Sequence, residues 1–179
     1  MGLDAMGKRN TEHFSKGSDK PMPANQEKML RDIETATPNV MWNTYIPNKQ
    51  FGVVISLPHG CSITGTLTYD DSNYAAMYID MFTVSGALQG KGLGAMLVRL
   101  LAKEAREYGA TSISGNITSK SALGAMAKAT GKNNLLFFNR ATGAAIGTTY
   151  EEEMAKTENP NYIVRSPLLV PEGESKPNP

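Results

Sequence analysis

Gln89-Gly90-Lys91-Gly92-Leu93-Gly94 is the stretch that decides the fold, because of what stands on either side of it. Tyr74 to Val84 upstream is apolar and strand-like, and Ala95 to Tyr108 downstream reads as one amphipathic helix. A strand that ends in a glycine loop and opens directly into a helix makes an anion site. The first-turn N–H groups have no intrahelical partner, and the helix dipole adds partial positive charge there. Glycines remove the Cβ atoms that would hold a diphosphate away from those donors. The loop therefore predicts a phosphate-bearing ligand.

The spacing narrows the choice of ligand. The dinucleotide pattern G-x-G-x-x-G fails, since Gly90, Gly92 and Gly94 put the third glycine one residue early. The ATP pattern G-x-x-x-x-G-K-[ST] fails as well, with Ser85 at its first glycine and Gly92 at its Ser/Thr position. The pattern that matches is Q/R-x-x-G-x-G/A, met by Gln89, Gly92 and Gly94. This resembles the acetyl-CoA pyrophosphate loop of the GNAT N-acetyltransferase superfamily.

Composition bounds the rest. A chain of 179 residues holds one domain with a proper core rather than two. Apolar residues at 40% and charged residues at 20% are ordinary for a soluble globular protein. A net charge of +1 gives no electrostatic case for nucleic acid or an anionic membrane surface. A lone cysteine, Cys61, excludes an internal disulfide and suits a reducing, cytoplasmic setting. No stretch approaches the roughly 20 apolar residues of a membrane span, and the polar N-terminus lacks a signal-peptide core. With two histidines and one cysteine far apart, no metal-ligand spacing exists.

Residues 1–22 lack periodicity and read as an arm that is disordered or ordered by a partner. Residues 23–170 form the expected domain, and 171–179, with three prolines, a tail. Pro23 starts a helix whose Met29, Leu30 and Ile33 make a short apolar stripe before Pro38. Trp42, Tyr45 and Ile46 follow as core packing or as a wall of a substrate cleft. Phe51–Leu57, Cys61–Tyr69 and Tyr74–Val84 read as three strands of an antiparallel meander, with turns at Pro58-His59-Gly60 and Asp70-Asp71-Ser72-Asn73. In the helix after the loop, Leu93, Leu97, Leu100, Leu101 and Ala105 share one face, and Gly109 stops it. Thr111–Ile117 is a strand parallel to the one before the loop. Ser119 N-caps a second helix that runs to Thr130 and stops at Gly131. Leu135–Asn139 and Tyr162–Val170, the latter broken by Pro167, complete the strands, and Ala141–Pro160 has no clear pattern.

This order of elements is similar to the GNAT fold over about residues 25–170, with 80–131 the specific part. The resemblance implies an α/β protein with a mixed, mostly antiparallel central sheet flanked by helices. It implies acetyl-CoA as co-substrate and acetyl transfer to an amine by direct attack in a ternary complex. Backbone groups of Phe82, Thr83 and Val84 would meet the pantetheine arm. Those of Gly90, Gly92, Leu93 and Gly94, with the Gln89 and Lys91 region, would hold the pyrophosphate, and Asn116 or Ser119 would add a polar contact. The acceptor would be an amine-bearing small molecule or protein, with no membrane or nucleic acid, and a homodimer stays open.

Acetyl transfer needs a neutral amine, a polarised thioester carbonyl and a proton for the departing thiolate. Strand alternation puts Tyr78, Asp80 and Phe82 on one face, opposite Met77, Ile79 and Met81. Asp80 is the strand's lone carboxylate, and partial desolvation among Ile79, Met81 and Phe82 would raise its pKa toward that of a general base. Many members of the superfamily carry a tyrosine four residues before the glycine that ends the second helix, where this chain has Ala127. Tyr78, Tyr150 or Tyr162 would have to supply that proton. Otherwise a water does so, or the chain is a binding or structural module that kept the fold and lost the reaction. Deleting residues 1–20 and 171–179 is expected to leave the melting transition and CoA affinity nearly unchanged; a large loss of stability would show that the ends pack on the domain.

Overall fold

The computed structural model describes residues 22–45, 49–72 and 74–168. The arm, the tail and Ile46 therefore lie outside the described residues. Helix α1 (Ala24–Thr35) leads into four antiparallel neighbours: β1 (Asn39–Tyr45), β2 (Gln50–Leu57), β3 (Cys61–Tyr69) and β4 (Ala75–Thr83). Helix α2 (Leu93–Glu107), strand β5 (Ala110–Ile117) and helix α3 (Lys120–Thr130) follow, and β5 pairs parallel to β4. The chain ends with β6 (Leu136–Asn139), β7 (Ala145–Ile146), α4 (Tyr150–Ala155) and β8 (Tyr162–Pro167). The sheet order is β1-β2-β3-β4-β5-β8-β6-β7, so β8 inserts between β5 and β6 and is antiparallel to both.

Two strands and one helix escaped the reading of the sequence. β1 carries its apolar residues among three asparagine and threonine positions, which hides its alternation. β7 has two residues and α4 six, too short for periodicity to register. Their order comes from caps and partners. Thr149 and Glu152 form a reciprocal capping box at the start of α4. Lys120 Nζ donates to the carbonyls of Met154, at 3.0 Å, and Lys156 at its other end.

The apolar core is one cluster, and its strand residues come from a single face of the sheet. Val53, Ile55 and Leu57 of β2, Ile63 and Leu67 of β3, Met77 and Ile79 of β4 and Ile113 of β5 all meet the helices there. Trp42 belongs to the same side, packed against the core with its ring centroid 4.4 Å from that of Tyr108. Cys61 is fully buried. The opposite face carries Met41, Val54, Thr64, Thr66, Tyr78 and Arg165, none of them buried. Among the described residues no helix covers it. No described helix is long and apolar enough to cross a membrane.

β4 does not alternate as its sequence suggests. The register with β3 shifts between Thr64 and Gly65, whose partners are Met81 and Ile79, so Asp80 is an extra residue. This bulge turns Asp80 and Met81 to the bare face together and sends Phe82 to the helix side against Gly94. The expected grouping of Tyr78 and Asp80 with Phe82 is thereby corrected, since strict alternation holds only where no residue is inserted. Gly65 sits beneath the bulge where a Cβ would lie 2.9 Å from Met77 Sδ and 3.0 Å from Leu101 Cδ2. A glycine is required there for α2 to approach the sheet.

Glu153 anchors α4. It is 5% exposed and accepts hydrogen bonds from Lys156 Nζ at 2.5 Å and Thr148 Oγ1 at 2.8 Å. Burial works to raise its pKa, but the bonds from Lys156 and Thr148 outweigh burial and hold the carboxyl below its ordinary value. A depressed carboxyl stabilises the fold above its unfolded pKa, and that contribution is lost as the pH falls through the lower folded value. Glu153→Gln is expected to cost about 1–3 kcal/mol at neutral pH. In thermal melts, the gap to the parent should close as the pH drops below the ordinary carboxylate range; a constant gap would exclude the ionised pair as its source.

Candidate functional site

A cleft of about 520 Å³ opens on the helix side of the sheet, where the end of β4, the glycine loop, α3 and α4 converge. Eight of the sequence-derived positions line it: Phe82, Val84, Gln89, Gly90, Gly92, Leu93, Gly94 and Ser119. Thr83, Lys91 and Asn116 do not. Thr83 is exposed opposite Ser62, and Lys91 is half-buried in the loop. Asn116 lies on β5, and its side-chain oxygen is buried with no hydrogen-bond partner among the described residues.

The loop puts unpaired donors into this cleft. Gly90 and Gly92 have φ of +77° and +82°, in the left-handed region that non-glycine residues rarely adopt. Gly92 is the N-cap of α2 and offers no side chain to the first turn, which contains no acidic residue either. The other two helices beside the cleft are capped by side chains, α3 by Ser119 and α4 by Thr149. The first intrahelical bond of α2 runs from Met96 N to Gly92 O, which leaves the Leu93, Gly94 and Ala95 N–H groups free for an anion.

Gly94 also has a packing role that its spacing does not reveal. A Cβ there would lie 3.2 Å from the Ala125 Cβ and 3.3 Å from the Phe82 ring. Its absence lets α2 close on α3 and on the end of β4. Arg99 Nη2 ties the same two helices through the Lys128 carbonyl at 2.7 Å.

β4 and β5 separate next to the cleft. Their ladder ends at Ile79 and Gly115, although β4 continues to Thr83 and β5 to Ile117. The bulge at Asp80 drives the split by redirecting β4, while β5 stays paired with β8 through Ile117. Backbone groups of Asp80 to Thr83 on that side are thus outside the ladder with β5. On the bare face, Asp80 is exposed and accepts from Thr66 Oγ1 at 2.8 Å. The partial desolvation expected for this carboxylate is absent, because the bulge turns it to the uncovered side. Tyr78 is half-exposed on the same face and does not line the cleft.

Sequence reasoning missed the contributions of Ser121, Gly124, Ala125, Lys128 and Met154, which all line the cleft. α3 carries no phenol, and Ala127 is buried in the core. The phenol lining the cleft is Tyr150, at the first position of α4. Tyr162 lies deeper, with its hydroxyl buried and its pKa pushed up by burial and then by the Glu153 carboxylate. His59 pairs with Asp32 at 2.9 Å between the β2–β3 turn and α1.

The model of the Acetyltransferase (GNAT) family matches residues 16–127, more than half of the chain. The chain belongs to this family, whose acetyl donor is acetyl-CoA. An acetyltransferase of Bacillus subtilis, solved in complex with CoA, is similar over 74% of this chain and 100% of its own, at 13% identity and a TM-score of 0.44. A GNAT acetyltransferase of Staphylococcus aureus is similar over 70% of this chain and 72% of its own, at 15% identity and a TM-score of 0.40. The ribosomal-protein-S18-alanine N-acetyltransferase of Escherichia coli is similar over 71% and 75%, at 12% identity and a TM-score of 0.40. Among curated proteins, none matches the chain. The uncapped start of α2 and the left-handed glycines fit the diphosphate of CoA in charge and in space.

The loop glycines are expected to separate in a thermal-shift titration with acetyl-CoA. At about 100 times its dissociation constant the ligand should stabilise the parent by roughly 2.7 kcal/mol. Gly92→Val, a β-branched residue in the left-handed region, should lose this shift along with about 1–2 kcal/mol of stability. Gly94→Ala should lower the melting temperature by crowding Ala125 yet keep the shift. A folded Gly92→Val protein with an unchanged shift would remove the diphosphate from this loop.

Proposed function

We propose that the chain is an N-acetyltransferase that moves an acetyl group from acetyl-CoA to an amine by direct attack in a ternary complex. One observation carries this reading: the anion-receptive cleft and the Asp80 carboxylate lie on opposite faces of the sheet, at the two sides of one split between β4 and β5. Acetyl-CoA supplies the acetyl group as an activated thioester. The free N–H groups at the start of α2, with Gly90 and Gly92, hold its diphosphate. The backbone of Phe82 and Thr83 on the side away from β3, where the ladder with β5 has ended, and that of Val84 beyond it are available to its pantetheine arm.

The acceptor amine comes to the bare face. Asp80, oriented by Thr66, accepts its proton, so the nucleophile is neutral when it attacks. For the proton that the departing thiolate needs, Tyr150 is favoured over Tyr78, because Tyr150 lines the cleft and Tyr78 faces the open side. The second reading, a binding module without turnover, draws on Ala127 at the position where a phenol is common.

Thiol release from acetyl-CoA in the presence of a primary-amine panel separates the two. Asp80→Asn is expected to lower kcat/KM by roughly 100- to 10,000-fold while leaving CoA affinity intact. Tyr150→Phe should lower kcat more than Tyr78→Phe does. Activity untouched in Asp80→Asn would discard this base, and tight CoA binding without thiol release across the panel would favour the module.

A further inference from the structure

The strands of the bare face carry two charges among their described side chains, and these stand apart along one row. Thr66 of β3, Tyr78 of β4, Ser114 of β5, Arg165 of β8 and Leu136 of β6 are successive partners across the sheet. Asp80 joins the row at the β3–β4 end through its hydrogen bond from Thr66. Arg165 stands two strands further along, with Leu136 beyond it.

Arg165 is exposed, yet it makes no ion pair or hydrogen bond among the described residues. Its guanidinium carbon lies 5.3 Å from the centroid of the Phe138 ring. A guanidinium held over an aromatic ring keeps its edge N–H groups available as a planar fork, the geometry that receives a carboxylate in two parallel hydrogen bonds. Leu136, 53% exposed, and half-buried Ile163 flank it, and apolar neighbours strengthen such a pair relative to open water. Between the two charges the row carries half-exposed Tyr78 on β4 and the small, buried Ser114 on β5, so the ground next to Arg165 is low.

We propose that Arg165 anchors a carboxylate of the acceptor, and that the preferred acceptor is a zwitterion with its amine at Asp80 and its carboxylate at Arg165. Asp80 complements the ammonium on arrival, and Arg165 complements the anion. One isolated cation matches a monoanionic carboxylate better than a phosphate dianion. From β4 to β8 is two inter-strand steps of about 4.8 Å where the strands are paired, and Asp80 stands just beyond the last β4–β5 pair, so the two groups of the acceptor are separated by on the order of 10 Å or somewhat more. An extended tripeptide, at about 3.4 Å per residue, has that span. This inference rests on the reading that the acceptor occupies the bare face.

Calorimetric titration of the CoA-saturated protein with triglycine and with triglycine amide tests it, alongside acetylation assays of both peptides. The parent should bind the free acid about tenfold more tightly than the amide. Arg165→Gln should abolish that preference, raising KM for the acid about tenfold while leaving kcat/KM for the amide and the affinity for acetyl-CoA unchanged. Arg165→Lys should recover part of it, as a point charge without the fork. The same acid preference in Arg165→Gln, or none in the parent for glycine peptides of two to five residues, would overturn the proposal. Acid-selective binding lost in Arg165→Gln, without acetylation of either peptide, would uphold Arg165 as the anchor and refute the transfer reading.

Discussion

One extra residue in β4 governs the arrangement of the rest. Asp80 has no partner of its own on β3, and the strand bends to accommodate it. The bend ends the parallel ladder with β5 at Ile79 and Gly115, and so opens the sheet at its centre. The same insertion puts Asp80 and Met81 on the uncovered face and Phe82 on the covered one. A shift of one position in that strand would bury the carboxylate and expose the ring. The split, the floor of the cleft and the direction of the carboxylate thus have a common cause.

Close packing around the bulge depends on side chains that are absent. Gly65 makes room for Met77 and Leu101, and Gly94 makes room for Ala125 and Phe82. With these contacts α2 presses on both the sheet and α3, and its first turn comes to lie at the mouth of the cleft. Leaving that turn without a side-chain cap costs little in helix stability, since glycine at an N-cap is only about a few tenths of a kcal/mol worse than serine or threonine. The neighbouring helices, with Ser119 and Thr149, have the caps that α2 lacks. A ligand phosphate is the group that would restore the missing acceptor.

The two faces of the sheet divide the labour. Helices cover one face and bury a continuous apolar cluster against it, which supplies the stability of the domain. The other face keeps threonines, serines and single apolar side chains in half-exposed rows, with one anion and one cation. α4 reaches the cleft through buried Glu153 and the Lys120 bonds to its last carbonyls, and brings Tyr150 with it.

Local chemistry made much of this legible in the chain. Gly90 and Gly92 at a strand–helix junction, the Ser119 cap and the Gly109 and Gly131 stops depend on neighbours within a few residues, and each has its expected position. The 3.6-residue stripe of α2 and the alternation of β2 and β3 are equally local signals. The bulge at Asp80 is a mismatch between two strands, so neither strand's sequence reveals it alone. For the same reason alternation misassigned Phe82, and the exposure of Asp80 ran against its apolar neighbours in sequence. Tyr150 enters the cleft from a six-residue helix that long-range hydrogen bonds hold in place, and Arg165 meets Phe138 across a strand pairing 27 residues apart in the chain. The sequence by itself determined the longer elements and the glycine loop at the strand–helix junction, because these follow from short-range propensity and capping. Tertiary structure alone decided which side chains share a face and where the sheet parts, because those depend on register and packing between segments distant in the chain.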